Sequence, residues 1–413
     1  MNPLVPLPIL EKWDCHTCGI CCKGHTILLD ADDLAALERQ AWTNRPEFAG
    51  VAITKKLSMF GAQRVLNQRP DGSCIFLTED QRCRIHAEFG EPQKPWACRM
   101  FPYQVSPIGN ELRVTMRRTC PSAAADRGRP LQDQLSVIRE LAPKAVGDGR
   151  FPAPAIQGAH LRSWPETRRL TDALEAVLLS ERGPLLRRMS VALRIVDLVS
   201  DSSPRRLDDA QWKDLVALFV RQADGEVNER LKGRIEPGRS AKLIFRQTAA
   251  EYLRFHPNMG DRPSLKQRWK LLRAAVSIAR GKGLLPDIHP SLPKATYADL
   301  ERPLGPLSED VLRPLDRYFM ATTAAMQYCG AGRRGWSVVD GFRALALAYP
   351  VALWALRWLS VGRTPTPADA IQTVVILDRS HYYPLLLGYR HRKRLDVLSR
   401  LDELERLMNW YSR

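Results

Sequence analysis

The chain has 413 residues, of which 45% are hydrophobic and 26% charged, proportions that are ordinary for a soluble globular protein. Its formal net charge is +17, yet residues 1–125 contain 15 Lys or Arg and 13 Asp or Glu, so +15 of that charge lies beyond residue 125. A nearly neutral segment followed by a basic one predicts two regions with different roles.

Two apolar segments bear on the location of the chain. Met1–Leu10 is apolar and proline-rich but lacks the basic start and unbroken apolar run of a signal peptide. The longest apolar run, Ala344–Leu356, has 13 residues and contains Pro350, whereas a membrane-spanning helix needs roughly 20. We therefore predict a buried core helix, no membrane span and a cytoplasmic protein, whose thiols stay reduced.

The first predicted elements, over residues 13–125, are short and irregular. Asp30 is a suitable cap for the first helix, because its carboxylate can accept hydrogen bonds from the first turn. In chain order we predict a strand over Thr26–Leu29, a helix over Ala31–Gln40, a hairpin with arms Cys74–Leu77 and Arg82–Ile85, and a strand over Leu112–Thr119 that ends at Cys120.

Beyond residue 125 the pattern becomes helical. Residues 126–165 read as a boundary, with a helix over Gln132–Leu141 and a Pro/Gly-rich linker over Phe151–Pro165. From residue 166 onward apolar residues recur at spacings of three and four. Two of the predicted helices are one that Asp208 or Asp209 caps and that runs through Val220, and a C-terminal one with the stripe Val397, Leu401, Leu404 and Met408.

These elements predict a mainly α protein. A small, irregular, cysteine-rich metal module with short strands, residues 11–125, is joined through residues 126–165 to a larger, basic, all-helical domain, residues 166–413. The sequence does not indicate an oligomeric state.

Cysteine is concentrated in the first region. Thiolates at two-residue spacing can reach one ion because a tight turn brings both sulfurs together, and clustered cysteines in the cytosol are more often ligands than disulfides. The ninth cysteine, Cys329, stands alone and is predicted to be a plain buried thiol. The other eight are Cys15, Cys18, Cys21, Cys22, Cys74, Cys83, Cys98 and Cys120.

The spacing indicates a metal without deciding which metal it is. Eight thiols suffice for two four-ligand zinc sites, and His16, His25 and His86 are spare candidates. A run of three cysteines at two-residue spacing with a distant Cys120-Pro121 is also typical of iron–sulfur ligation.

Three blocks of this segment resemble the YkgJ-type cysteine-cluster family of zinc- or iron-chelating proteins. The blocks are Trp13–Cys22, Cys74–His86 and Lys94–Pro102, and the similarity covers about residues 13–122. The resemblance implies that the eight clustered cysteines are the metal ligands. More loosely, the chain resembles the flagellin lysine N-methylases, which carry a related cluster before a helical region.

Arg99, directly after Cys98, has two interpretations. Its guanidinium can donate hydrogen bonds to sulfur and offset the charge of the thiolates, or it can form a salt bridge at the surface.

Three functions are therefore expected. The first is metal binding, as an iron–sulfur cluster or as zinc. The second is a lysine N-methylase-like enzyme that uses S-adenosylmethionine on an acidic protein substrate, with the cofactor at the metal because the sequence has no strand–GxGxxG–helix unit; its catalytic residues are unknown. The third is a structural zinc module beside a basic domain that binds nucleic acid or an acidic partner, with Tyr389–Arg394 as the densest basic run.

Overall fold

The structure, a computed structural model, describes residues 2–23, 25–57, 61–147, 151–202, 204, 207–255, 265–381 and 384–413. Most of these residues are helical, and the strands that they form all lie before residue 131. The prediction of a mainly α protein with a small strand-containing region is confirmed.

The N-terminal region, residues 2–147, consists of short elements joined by loops and single 3₁₀ turns. In chain order its strands and helices are β1 (Leu4–Pro6), β2 (Lys12–Trp13), β3 (Leu28–Leu29), α1 (Ala31–Arg39), β4 (Thr54–Lys56), β5 (Arg64–Leu66), α2 (Arg84–Phe89), α3 (Trp96–Met100), β6 (Tyr103–Ile108), β7 (Glu111–Met116), α4 (Pro121–Ala124), β8 (Arg129–Pro130) and α5 (Leu135–Val146).

The strands form three small sheets. In the first, β7 lies between β6, which is antiparallel to it, and β1, which is parallel. In the second, β5 pairs antiparallel with β3 and β4. The third is the pair β2–β8, with Lys12 opposite Pro130 and Trp13 opposite Arg129. We call this pair the neck, because it joins the beginning and the end of the cysteine-rich segment.

The local predictions for this region are met in part. The carboxylate of Asp30 accepts from the backbone of Asp33, which returns the bond, so α1 begins where the sequence predicts. Residues Leu77 and Cys83 are bridged as in a hairpin, but the second predicted arm is wrong, because α2 starts directly after Cys83. Strand β7 stops four residues before Cys120 instead of reaching it.

The rest of the chain is helical. Its helices are α6 (Trp164–Leu179), α7 (Leu185–Ser202), α8 (Asp209–Lys232), α9 (Arg239–Leu253), α10 (Leu265–Arg280), α11 (Tyr297–Glu301), α12 (Glu309–Ala324), α13 (Val338–Leu359), α14 (Pro367–Ser380), α15 (Pro384–Leu387), α16 (Tyr389–Arg400) and α17 (Glu403–Tyr411).

Helix α13 is the centre of this region. Among the described helices it alone has the length and apolar composition to cross a membrane, but 94% of its most apolar stretch is buried inside the protein. It packs against α7, α9, α14, α16 and α17. The run Ala344–Leu356 is therefore a core helix, as the sequence predicts.

Two helical predictions need correction. Helix α8 has the predicted cap at Asp208 but continues to Lys232, because its later apolar residues also pack into the core. The prediction of a single C-terminal helix is wrong, because the helix is interrupted between α16 and α17 at Asp402, whose φ is 53°. Leu401, predicted to lie in the apolar stripe, is 58% exposed. The apolar stripe therefore spans two helices.

Candidate metal centre

The neck brings the first cysteines close to the last one. The Asp14 carboxylate accepts from the Arg129 guanidinium at 2.9 Å, and the Asp14 N–H donates to the Arg127 carbonyl. A side chain at Gly128 would lie 2.3 Å from the Asp14 nitrogen, so this approach requires glycine. One turn on, a ring nitrogen of His16 lies 2.9 Å from the Ser122 hydroxyl. The segment that carries Cys15 and Cys18 is therefore held beside the segment that carries Cys120.

The middle cysteines are placed by a tight turn. Gly19 adopts a left-handed conformation, with φ of 66°, and a 3₁₀ turn over Ile20–Cys22 follows. The sulfurs of Cys21 and Cys22 are 3.9 Å apart. The Cys22 carbonyl accepts from the Cys74 N–H at 2.7 Å, which ties this turn to the next cysteine loop.

The loop from Cys74 to Cys83 is closed on itself. The Leu77 N–H donates to the Cys74 carbonyl, and the Arg84 N–H donates to the Phe76 carbonyl. Both cysteines pack at the edge of a small apolar core that contains Trp42, Phe48 and Phe76. The buried aromatic rings hold the loop in place, so the two thiols face the Cys21 turn from a fixed position.

Cys98 comes from the short helix α3. The first free N–H of that helix, on Trp96, donates to the Asp33 carboxylate of α1 at 2.8 Å. An N-terminal carboxylate satisfies an otherwise unpaired donor and complements the helix dipole. The helix is thereby positioned with Cys98 facing the other cysteine loops.

Four partly exposed thiols lie near enough to affect one another's pKa values, and we call them the inner thiol group: Cys21, Cys74, Cys83 and Cys98. Cys22 adjoins this group only through its contact with Cys21. Burial raises the pKa of the Cys98 thiol, and the Cys74, Cys83 and Cys21 thiols raise it further. Burial likewise raises the pKa of Cys74 to about 11, with Cys83 and Cys21 contributing. The pKa of Cys21 is raised first by its contact with Cys22 and then by burial.

The remaining thiols near the neck form the outer thiol group: Cys15, Cys18 and Cys120. Cys15 and Cys18 are exposed, whereas Cys120 is buried in a second small core with Tyr103 and Met116. Burial raises the pKa of Cys120, and the Cys18 thiol also raises it. Cys120 of the outer group and the pair Cys74 and Cys83 of the inner group therefore pack on different cores.

Thiols of this kind fit a bound metal chemically. A buried thiol with other thiols around it resists ionisation, and a bound cation reverses that preference by stabilising the thiolate. The charge of Lys94 acts in the same direction as a bound cation, because it lowers the pKa values of Cys21 and Cys98, although both remain raised overall. Within the described residues, however, no three Cys, His, Asp or Glu side chains converge closely enough to hold a metal ion.

The three candidate histidines lie in different settings. His16 contacts Ser122 and the Asp14 carbonyl, and His86 is exposed on α2. His25 is mostly buried against Phe101, and its Nδ1 is enclosed without a hydrogen-bond partner among the described residues. Burial and then the charges of Arg379 and Arg117 lower the pKa of His25 to about 4, so its ring is neutral.

Arg99 forms ion pairs instead of contacting sulfur. Its guanidinium lies 3.3 Å from a Glu91 oxygen and 3.0 Å from a Glu140 oxygen. The salt-bridge interpretation is the one that the structure supports. The cation beside the inner thiol group is Lys94, which sequence reasoning missed although it opens the Lys94–Pro102 block.

A second missed residue joins the cysteine segment to the helical region. Asp378, buried in α14, accepts from Arg117 Nε at 3.0 Å and from the Thr119 N–H at 2.9 Å. Burial raises the pKa of Asp378, but the charge and hydrogen bond of Arg117, the nearby His381 and the Thr119 N–H together hold that pKa below its usual value. The chain immediately before Cys120 is thus fixed by a side chain 259 residues away.

Several adjacent arginines in the basic part of the chain are already matched by carboxylates. Arg187 pairs with Asp224 at 2.7 Å and Arg188 with Asp316 at 3.0 Å. Arg333 is buried beside His381. In the Tyr389–Arg394 run, His391 is buried and Arg394 pairs with Glu251, while Arg205-Arg206 lies outside the described residues. The described arginines do not form one continuous basic face.

The comparison with known families identifies the cysteine-rich segment. Residues 14–121 match the family model described as "CxxCxxCC: Putative zinc- or iron-chelating domain". We call residues 14–121 the CxxCxxCC domain, after the family model that they match. All eight clustered cysteines lie inside the match, which confirms the resemblance found in the sequence. Neither the curated proteins nor the solved structures gave a match.

Proposed function

We propose that the CxxCxxCC domain binds zinc or iron through its two thiol groups. The observation that carries the proposal is the inner thiol group, in which three separate segments bring Cys21, Cys74, Cys83 and Cys98 near enough to affect one another's pKa values. The family match to a zinc- or iron-chelating domain supports the same conclusion.

The inner and outer groups differ in what they offer a metal. The inner group has four thiols, which is the ligand number of a structural zinc ion and of an iron–sulfur cluster. The outer group has three, two of them exposed, and three protein ligands leave one position for another molecule. A metal held by the inner group would connect three segments that are separate in sequence, so its binding energy would contribute directly to folding.

The metal is identified by purifying the full chain without oxygen and measuring zinc, iron and acid-labile sulfide. Bound iron with sulfide and visible absorbance assigns an iron–sulfur cluster, and a colourless protein with stoichiometric zinc assigns a zinc site. A protein that binds neither metal, and whose eight clustered thiols all react with a thiol reagent, would falsify the proposal.

The ligand groups are tested with cysteine variants. We expect Cys98→Ser to lose the metal of the inner group while the outer group still protects Cys18 from alkylation, because Cys98 lies among the inner thiols whereas Cys18 lies near Cys120. The control is Cys329→Ser, which alters a buried thiol outside both groups and should leave the metal content unchanged. Equal metal loss in both variants would contradict the assignment.

The lysine N-methylase-like activity remains a proposal of lower rank. It requires S-adenosylmethionine at the three-ligand outer group and an acidic protein substrate in the cytoplasm. Binding of S-adenosylmethionine to the metal-loaded protein, absent after Cys18→Ser, would support it. A metal-loaded protein that does not bind the cofactor counts against it.

A further inference from the structure

Helix α10 turns an apolar face toward solvent. Trp269, Leu272 and Val276 are 66%, 55% and 43% exposed, and their spacing of three and four residues places them on one side of the helix. The opposite side packs on α9: Ile278 of α10 is buried there, and its carbonyl accepts a hydrogen bond from Arg246 of α9. The helix therefore has two apolar faces, of which only one is covered.

The exposed face extends beyond the helix. Leu284, 69% exposed, follows α10, and its carbonyl accepts from the Ser277 hydroxyl at 3.3 Å, so it stays beside the helix end. Single exposed apolar residues are ordinary, but a contiguous row that contains a tryptophan marks an interaction surface. Keeping such a row in water costs free energy that a bound partner would recover.

The charge of this segment indicates the partner. Residues 265–286 contain six Lys or Arg and no Asp or Glu. Arg273 and Arg280 are exposed, and at about 100° per residue they border the row on one side while Arg268 borders it on the other. An apolar row with cationic edges matches a surface that is anionic outside and apolar beneath.

We propose that α10 binds the surface of an anionic lipid bilayer. Trp269, Leu272 and Val276 lie at the boundary between head groups and acyl chains, and Arg268, Arg273 and Arg280 contact the phosphates. The side of a single helix can be buried in a deformable lipid surface, whereas an acidic protein would have to supply a groove of matching shape. The proposal is independent of the metal-binding function.

The test is cosedimentation of the full chain with vesicles at low and high salt. We expect binding to vesicles of phosphatidylcholine with phosphatidylglycerol, weak binding to phosphatidylcholine alone, and loss of binding at high salt. Leu272→Glu should lower the partition coefficient by about tenfold or more, because a charge enters the apolar row. The matched control, Leu218→Glu, changes an exposed leucine on α8 and should bind like the parent protein.

Arg273→Glu should weaken binding by about fivefold or more, since each basic residue near an anionic surface contributes roughly one kcal/mol. Equal binding to neutral and anionic vesicles would overturn the proposal, as would equal effects of Leu272→Glu and Leu218→Glu. Binding of soluble polyglutamate that Leu272→Glu abolishes, with no such effect on vesicle binding, would also overturn it and assign an acidic protein as the partner.

Discussion

The cysteine-rich segment and the helical region are stabilised in different ways. In the helical region one continuous apolar core surrounds α13 and includes residues of nearly every neighbouring helix. In the cysteine-rich segment the apolar residues form separate small cores, one around Trp42 and Phe76 and another around Tyr103 and Val114. Small cores bury too little surface to fix long loops, so a metal is needed where apolar packing is insufficient.

Metal removal should separate the two regions most strongly. A chelator should abolish hydrogen-exchange protection in the loops of the inner thiol group, with a loss on the order of 10 kcal/mol by comparison with structural zinc sites. Protection in α13 should persist, because apolar burial supports it. Hydrogen exchange read by mass spectrometry checks both regions in one sample. Simultaneous loss of protection in both regions would show that the two are not stabilised separately.

A core substitution should have the opposite effect. Trp354, buried against Phe245 and Trp358, loses its packing in Trp354→Ala, and we expect about 3–5 kcal/mol less free energy of unfolding. Metal content should be unchanged. Denaturant titration measures the loss, and Trp269→Ala, at an exposed position, is the control with an effect of about 0.5 kcal/mol or less. Comparable losses in both variants would be inconsistent with a core centred on α13.

Acid should weaken the helical region through its buried histidines. Burial, then the charges of Arg333 and Arg394, lowers the pKa of His391 to about 3, so the folded protein keeps it neutral while the unfolded chain takes up a proton below about pH 6.5. The unfolded state then binds more protons, and stability falls as the pH decreases from 6.5 towards 3.

As the pH falls from 7 to 5, His391 alone should lower the free energy of unfolding by about 2 kcal/mol. The variant His391→Phe should lose that part of the pH dependence, which urea titrations of both proteins at the two pH values measure. Other buried histidines keep a slope in the variant, so the difference between the proteins is the relevant quantity. Parallel pH profiles would exclude His391 as a source.

The smallest effect tests the break between α16 and α17. Leu401 is 58% exposed, so Leu401→Ala should change the free energy of unfolding by about 0.5 kcal/mol or less. Leu404 is buried in the core, so Leu404→Ala should lower the free energy of unfolding by about 2–5 kcal/mol. Thermal unfolding of the pair is sufficient. Similar losses would indicate the single continuous helix that the sequence pattern favours.

The predictions from sequence held where the signal is local. The cap at Asp30 and the apolar run Ala344–Leu356 each depend on neighbours within a few residues, and both are found as predicted. The predicted second arm of the hairpin is wrong, because Cys83 is the last residue of the bridge with Leu77 and a helix begins at the next residue. A short run of alternating residues does not distinguish those two cases.

The site depends on contacts that no local pattern reveals. The eight cysteines are recognisable from spacing, but the assignment of seven of them to two groups depends on the fold, which packs Cys74 and Cys83 beside Phe76 but places Cys120 in a different small core. Asp378 is one of many carboxylates in the sequence, and only the fold places it against Thr119. Likewise, the Lys94 charge affects the pKa values of Cys21 and Cys98 only because the fold brings these residues close together.

The neck has a consequence for how such a chain is assembled. Because β2 and β8 lie side by side, the chain enters and leaves the cysteine-rich segment at nearly the same point. A segment whose ends are adjacent can be exchanged between host proteins as a unit, since only a short junction has to be accommodated. Transfer of such a unit would carry all eight cysteines at once, and the new host would have to replace the contact that Asp378 makes with Thr119.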